Sequence, residues 1–211
     1  SAEACFLAAH GLIVTGRPDQ GFPGLDRARA LGYPDAEIRR EMALGLALMG
    51  KYQEAEPLLR ECYQALTSPD VELTEAFART LLQTYQIWEA RNVIDRWLRD
   101  APSDATAYVW KAMVDRKMDA ENEVLVEDYV KALECDPNHP TALLELAGLY
   151  LQLHRLDDAT KYYETYHTIK PKDPAALMGL AQAAMERGDE AEAIHRYEQA
   201  VALKADDARP F

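Results

Sequence analysis

The chain has 211 residues, 48% of them hydrophobic, and a formal net charge of −13. That apolar content is ordinary for a folded protein. The acidic balance argues against nucleic acid or an anionic membrane as the bulk partner, and no run approaches the roughly 18 apolar residues of a spanning helix, so no membrane insertion is expected.

In chain order, a skeleton of small and apolar residues recurs. Residues 2–35 carry Ala9, Leu12, Gly16, Gly21, Leu25 and Ala28, and residues 36–70 carry Ala43, Leu46, Gly50, Ala55 and Leu59, with Asp70 as an extra residue. Residues 71–104 keep Ala78, Ala90 and Pro102, and residues 105–139 recover the register at Tyr129, Ala132 and Pro137 after a second extra residue near Ala105. Residues 140–173 and 174–207 superpose without a gap: Ala147 falls on Ala181, Ala159 on Ala193, Tyr163 on Tyr197 and Ile169 on Leu203. The period is thus 34 residues, the mark of stacked helix–turn–helix units that cannot bury their apolar faces alone.

Each unit reads as two amphipathic helices. Leu143, Leu146, Ala147 and Tyr150 stand at i, i+3, i+4 and i+7, one apolar stripe. Alanine within the stripes lets paired helices approach closely. Gly188-Asp189 breaks one helix before the next pattern begins, and a proline after each second helix bars its continuation. No alternating strand pattern of useful length occurs.

Leu143, Leu146, Ala147, Tyr150, Ala159, Tyr163 and Pro171, with the turn Asp136–Pro140, resemble the tetratricopeptide repeat pattern. The resemblance covers essentially the whole chain and is strongest over residues 140–207. It implies an all-α helical solenoid of six tandem repeats, with residues 208–211 opening a truncated seventh, wound into one right-handed superhelix. On that reading the chain is a piece of a longer protein, and Ser1-Ala2 reads as a cleavage scar.

No chemistry is evident. Cys5, Cys62 and Cys135 are read as small buried hydrophobes rather than a disulfide framework. His10, His139, His154, His167 and His195 form no metal spacing and are read as solvated or capping. There is no glycine-rich phosphate loop and no nucleophile constellation. The expectation is a chain without catalytic activity, metal or cofactor.

The family resemblance implies that the first helices of successive units line a concave groove. Carried over residue by residue, it assigns Arg40, Leu44, Arg79 and Gln83 in the second and third units, and Leu144, Glu145, Leu151, Met178, Gln182 and Met185 in the fifth and sixth. The fourth unit offers two alternatives: Lys111 and Lys117 face the groove with Trp110 and Met113 inside, or the roles partly exchange. The family's carboxylate clamp for acidic tails is absent, because Arg40/Leu44 precede Ala76 and Leu144/Gly148 precede Gly179. Its asparagine ladder is absent as well, since Glu41, Ala76, Glu145 and Gly179 stand in those places.

The expected groove is cationic in the middle and apolar toward the C-terminus. It would hold a protein or peptide segment with an acidic end and an apolar end. The functional expectation is a protein-interaction scaffold. The alternatives are a recruiting arm of an enzyme or of an export or outer-membrane assembly, and a self-assembling module, including a homodimer through an exposed terminal repeat. A bacterial origin is the composition's leaning, with the cytoplasm favoured over the periplasm.

Overall fold

The computed structural model describes residues 1–207, with side chains to Leu203. Its elements are α1 (Ala2–Val14), α2 (Pro18–Ala30), α3 (Asp35–Leu48), α4 (Tyr52–Gln64), α5 (Val71–Gln83), α6 (Ile87–Asp100), α7 (Ala105–Lys117), α8 (Asn122–Cys135), α9 (Pro140–Gln152), α10 (Leu156–Ile169), α11 (Ala175–Arg187) and α12 (Glu190–Asp207). No strand occurs among the described residues.

One backbone device ends every first helix. Gly16, Gly50, Tyr85, Asp119, His154 and Gly188 all have φ between 55° and 81°. Just after each, an N–H reaches back five residues: Arg17 to Leu12, Lys51 to Leu46, Gln86 to Leu81, Ala120 to Asp115, Arg155 to Tyr150 and Asp189 to Ala184. This is the left-handed C-terminal cap that satisfies the orphan carbonyls of a helix end. The spacing of these residues is 34, lengthened by one on either side of Tyr85–Asp119. The second extra residue therefore sits beyond Asp119, in the α7–α8 turn. Of the two places the sequence suggests for it, near Ala105 and in the Met118–Glu123 connection, the second is the one found, as the 34-residue step from Ala78 to Ala112 and the 35-residue step from Ala112 to Ala147 agree.

Starts are fixed by side chains. Asp70 accepts from Leu73 N–H, Asp104 from Thr106 and Ala107, and His139 from Ala142, each satisfying free amides of a first turn.

The fold consists of helical hairpins (α1–α2, α3–α4, α5–α6, α7–α8, α9–α10, α11–α12) grouped in two compact units, Ser1–Pro102 and a second beginning at Ser103. Within the first unit α2 packs on α3 and α4 on α5; within the second α8 packs on α9 and α10 on α11. Small residues make this possible. Ala9, Ala43, Ala78, Ala112, Ala147 and Ala181, one per first helix, are all buried to within 1%. A larger side chain at any of them would wedge a hairpin open. Where the pattern departs from small residues the bulk is still buried: Leu125, Trp97 and Tyr166 are core residues. Tyr166 also donates to Asp173 Oδ2 at 2.5 Å, while Asp173 Oδ1 accepts the Ala175 N–H, so one contact ties α10 to the start of α11.

The cysteines correct the sequence reading. Cys135 is exposed, and Cys5 and Cys62 are only half-buried. The buried stripe of α8 runs Leu125, Asp128, Tyr129 and Ala132 and ends there, so Cys135, the last helical residue, falls outside it. The segment 208–211, read as the opening of a seventh repeat, lies outside the described residues.

Candidate functional site

The odd-numbered helices of each unit present the residues expected to bind. In the first unit α3 contacts both α1 and α5. Arg40 on α3 is half-buried and holds Asp70 with two hydrogen bonds, Nε to Oδ2 at 2.7 Å and an Nη to Oδ1 at 3.1 Å. It also donates to Glu72 and to Glu41, each at 2.8 Å. Glu41 itself is only 3% exposed, and its other oxygen meets His10 Nδ1 of α1 at 2.8 Å. The chain His10–Glu41–Arg40–Asp70 thus spans α1, α3 and the start of α5. Burial pushes the Asp70 carboxyl up, but the Arg40 guanidinium and the Leu73 N–H outweigh it and hold it below the ordinary carboxylate value.

These contacts correct the expectation of an open cationic surface. Arg40 is committed to three carboxylates, and Arg79 is paired with Glu75 at 2.7 Å. Leu44 is a core residue at 5% exposure, shielded because α1 and α5 flank α3. Gln83 alone of the four expected here is exposed.

In the second unit Lys111 on α7 turns inward. Its Nζ lies 3.0 Å from Asp115 and 2.5 Å from Asp128 of α8, both nearly inaccessible to water. Burial pulls the ammonium down, but the two carboxylates more than offset it and keep it above its usual value. Burial pushes Asp128 up, against the pull of Lys111. Lys111 therefore locks α7 to α8 and offers no charge to a ligand. The alternative in which Lys111 faces the groove is therefore corrected, because Lys111 is held by Asp115 and Asp128; Lys117 is exposed, and Trp110 and Met113 are half-buried.

Further along, Arg116 of α7 donates to Glu145 of α9 at 2.9 Å and lies over the Tyr129 ring. Leu144 is half-buried, and Leu151 is buried by the neighbouring helices of its own unit, which removes it from the accessible set. On α11 the picture reverses. Met178 is 44% exposed, Met185 51%, and Gln182 between them is exposed. Tyr163 explains the position of α11: a Cβ on Gly179 would lie within 2.5 Å of its Cε1 and Cε2, so the ring rests directly on glycine backbone.

The charged network around Glu41 and Asp128 was not read from the sequence. The available signals were a carboxylate on an apolar stripe (Leu125, Asp128, Tyr129) and a Lys111–Asp115 pair at i,i+4. His10, read as solvated or capping, is the partner of a buried carboxylate. His139 does cap, and His154 pairs with Glu186 at 3.1 Å. Among the described residues there is no cluster of three or more His, Cys, Asp or Glu placed to hold a metal ion, and no helix long and apolar enough to cross a membrane.

Comparison with known proteins agrees with the repeat geometry. Two models described as tetratricopeptide repeat match residues 129–161 and 155–210. The fold is similar to a structure from work on Pseudomonas aeruginosa pilF (TM-score 0.79, 17% identity, 96% of this chain and 91% of that one). It is also similar to part of a TPR repeat-containing protein from Cytophaga hutchinsonii (TM-score 0.72, 15% identity, 96% and 80% covered). MamA MSR-1 is a third likeness (TM-score 0.63, 20% identity, 82% and 99% covered). Residues 129–210 thus match tetratricopeptide-repeat models, and the earlier hairpins keep the same 34-residue register and the fold of these neighbours.

Proposed function

We propose that the protein is a non-catalytic interaction scaffold that binds a partner protein segment through apolar contacts on α11. One observation carries this reading: Met178 and Met185, at i and i+7 on α11, stand about half exposed with Gln182 between them. Their counterparts 34 residues earlier, Leu144 and Leu151, are partly and fully covered. Unbranched, polarizable methionines suit a surface that adapts to side chains of varied shape, and an i/i+7 pair reads a helical or extended segment by its own periodic apolar residues.

An acidic end on the partner is not required, because Arg40, Arg79 and Lys111 are paired within the chain. The test is to select binding segments from a displayed peptide library on the immobilised protein, then measure their affinity for a Met178→Glu/Met185→Glu variant. The expected result is a loss of ten-fold or more, with little dependence on salt. Unchanged affinity would remove α11 from the binding surface.

A further inference from the structure

Two exposed aromatic residues stand together at the turn between α5 and α6. Tyr85 takes the left-handed cap there at φ 61° and is 86% exposed. A bulky side chain is strained in that conformation, because its Cβ crowds the following carbonyl. A ring in open solvent offsets none of that strain by packing. Trp88, one helical turn on at the start of α6, is 74% exposed.

A missing neighbour does not account for this exposure. The same repeat positions are held by Gly50 and Gln53 in the α3–α4 hairpin and by His154 and Asp157 in the α9–α10 hairpin. All four are exposed, although each hairpin is flanked within its own unit, the first by α2 and α5 and the second by α8 and α11. These positions face outward whatever precedes or follows a hairpin.

A groove of about 250 Å³ lies between the α3–α4 turn and the end of α5. Residues 50–54 line one side, and Gln83 and Thr84, which lead directly into Tyr85, line the other. Its two charges, Lys51 and Glu54, lie 3.8 Å apart, so the groove presents no net charge. It presents exposed donors instead: the Gln53 and Gln83 amides, followed in sequence by the Tyr85 hydroxyl and the Trp88 indole N–H.

Charge complementarity selects the occupant. An acidic or a basic peptide would find no counter-charge, and an anionic lipid surface would meet a chain of net charge −13. A proline-rich segment matches on each count. It is uncharged, its prolines have no N–H, and in the polyproline conformation its carbonyls are free to accept. Its rings pack on tyrosine and tryptophan faces, as in other aromatic-lined grooves that read such segments. We propose that the groove between the α3–α4 and α5–α6 turns takes a proline-rich segment of a partner protein in the polyproline conformation. The rings of the segment lie against Tyr85 and Trp88, and its carbonyls accept from Gln53 and Gln83. This surface is separate from α11.

Titration of the whole chain with decaproline tests it, read by calorimetry and by acrylamide quenching of tryptophan emission. Trp88 is the exposed one of three tryptophans, so saturable shielding of its emission is expected. Trp88→Ala should weaken binding by about ten-fold or more. Tyr85→Gly should weaken it too, with an unfolding midpoint unchanged or higher, because glycine suits the left-handed cap. Weaker binding by a fold at least as stable is an outcome that a purely structural role for Tyr85 would not give. No saturable signal at millimolar decaproline, or native affinity in both variants, would overturn the proposal. So would shielding of Trp88 by neutral phosphatidylcholine vesicles without any by the peptide, which would assign the edge to lipid. The Met178→Glu/Met185→Glu variant should bind decaproline as the native chain does, so this proposal and the α11 reading fail separately.

Discussion

Replacing Gly179 by alanine sets two opposing effects against each other, and the structure decides between them. In an exposed helix interior the change would stabilise by about 1 kcal/mol through helix propensity. Here the new Cβ would enter the Tyr163 ring, within 2.5 Å of Cε1 and Cε2 and closer still to Cζ. Ordinary carbon contacts lie at ~3.5–4.0 Å, so the ring must move by more than an ångström. Tyr163 is buried at 6% exposure and cannot swing into solvent without separating α10 from α11.

Overpacking of this kind costs about 1–3 kcal/mol, and three ring atoms in conflict place it at the upper end. The net expectation is a loss of roughly 1–2 kcal/mol, or about 2–8 °C in midpoint for a chain of this length. Thermal and urea unfolding followed by circular dichroism measures it. Repeats two and three show the repair: Leu59 and Ala76 hold these same two positions, and both are buried. Tyr163→Leu should therefore be less harmful in the Gly179→Ala background than alone, with a coupling of about 1 kcal/mol. A Gly179→Ala protein as stable as the native one, or additive effects in the double variant, would refute the account of this joint.

Two charge predictions follow from the buried networks. Lys111→Met leaves Asp128 and Asp115 buried without their cation and should cost about 3 kcal/mol at neutral pH; the deficit should shrink toward pH 5, because burial already pushes Asp128 up and its protonation relieves the site. Equal deficits at both pH values would mean that the pair is solvated. Asp70→Asn keeps the helix cap but removes the charge that Arg40 holds. Since the folded Asp70 value lies below the ordinary one, its contribution is full above the unfolded value of ~4 and is lost as pH falls through the folded value. The variant should lose about 1 kcal/mol at pH 7 after partial solvent screening, and the difference should vanish in strong acid; a difference that persists there would assign the effect to the cap.

Much of the architecture was legible because it is written locally and repeatedly. The alanine and glycine spacing, the i/i+3/i+4/i+7 stripes and the breaks before each second helix are properties of single segments, and repetition makes each one evidence for the next. The binding surface was less legible. Its residues were assigned by position within a repeat, which tells which way a side chain leaves its helix but says nothing of what waits there. Leu44 and Leu151 left theirs into neighbouring helices, and Arg40 and Lys111 into carboxylates.

By itself, then, the sequence determined the helix class, the 34-residue register, the small residues at the helix contacts and the absence of a strand pattern, since all depend on periodicity along one chain. Only the tertiary structure decided which charges are consumed within the chain, that Glu41 and Asp128 are buried, and that Gly45 faces Phe22. Those outcomes depend on distances between residues about 17 to 34 apart in sequence. No periodicity encodes such distances; they come into being when one hairpin settles on the next.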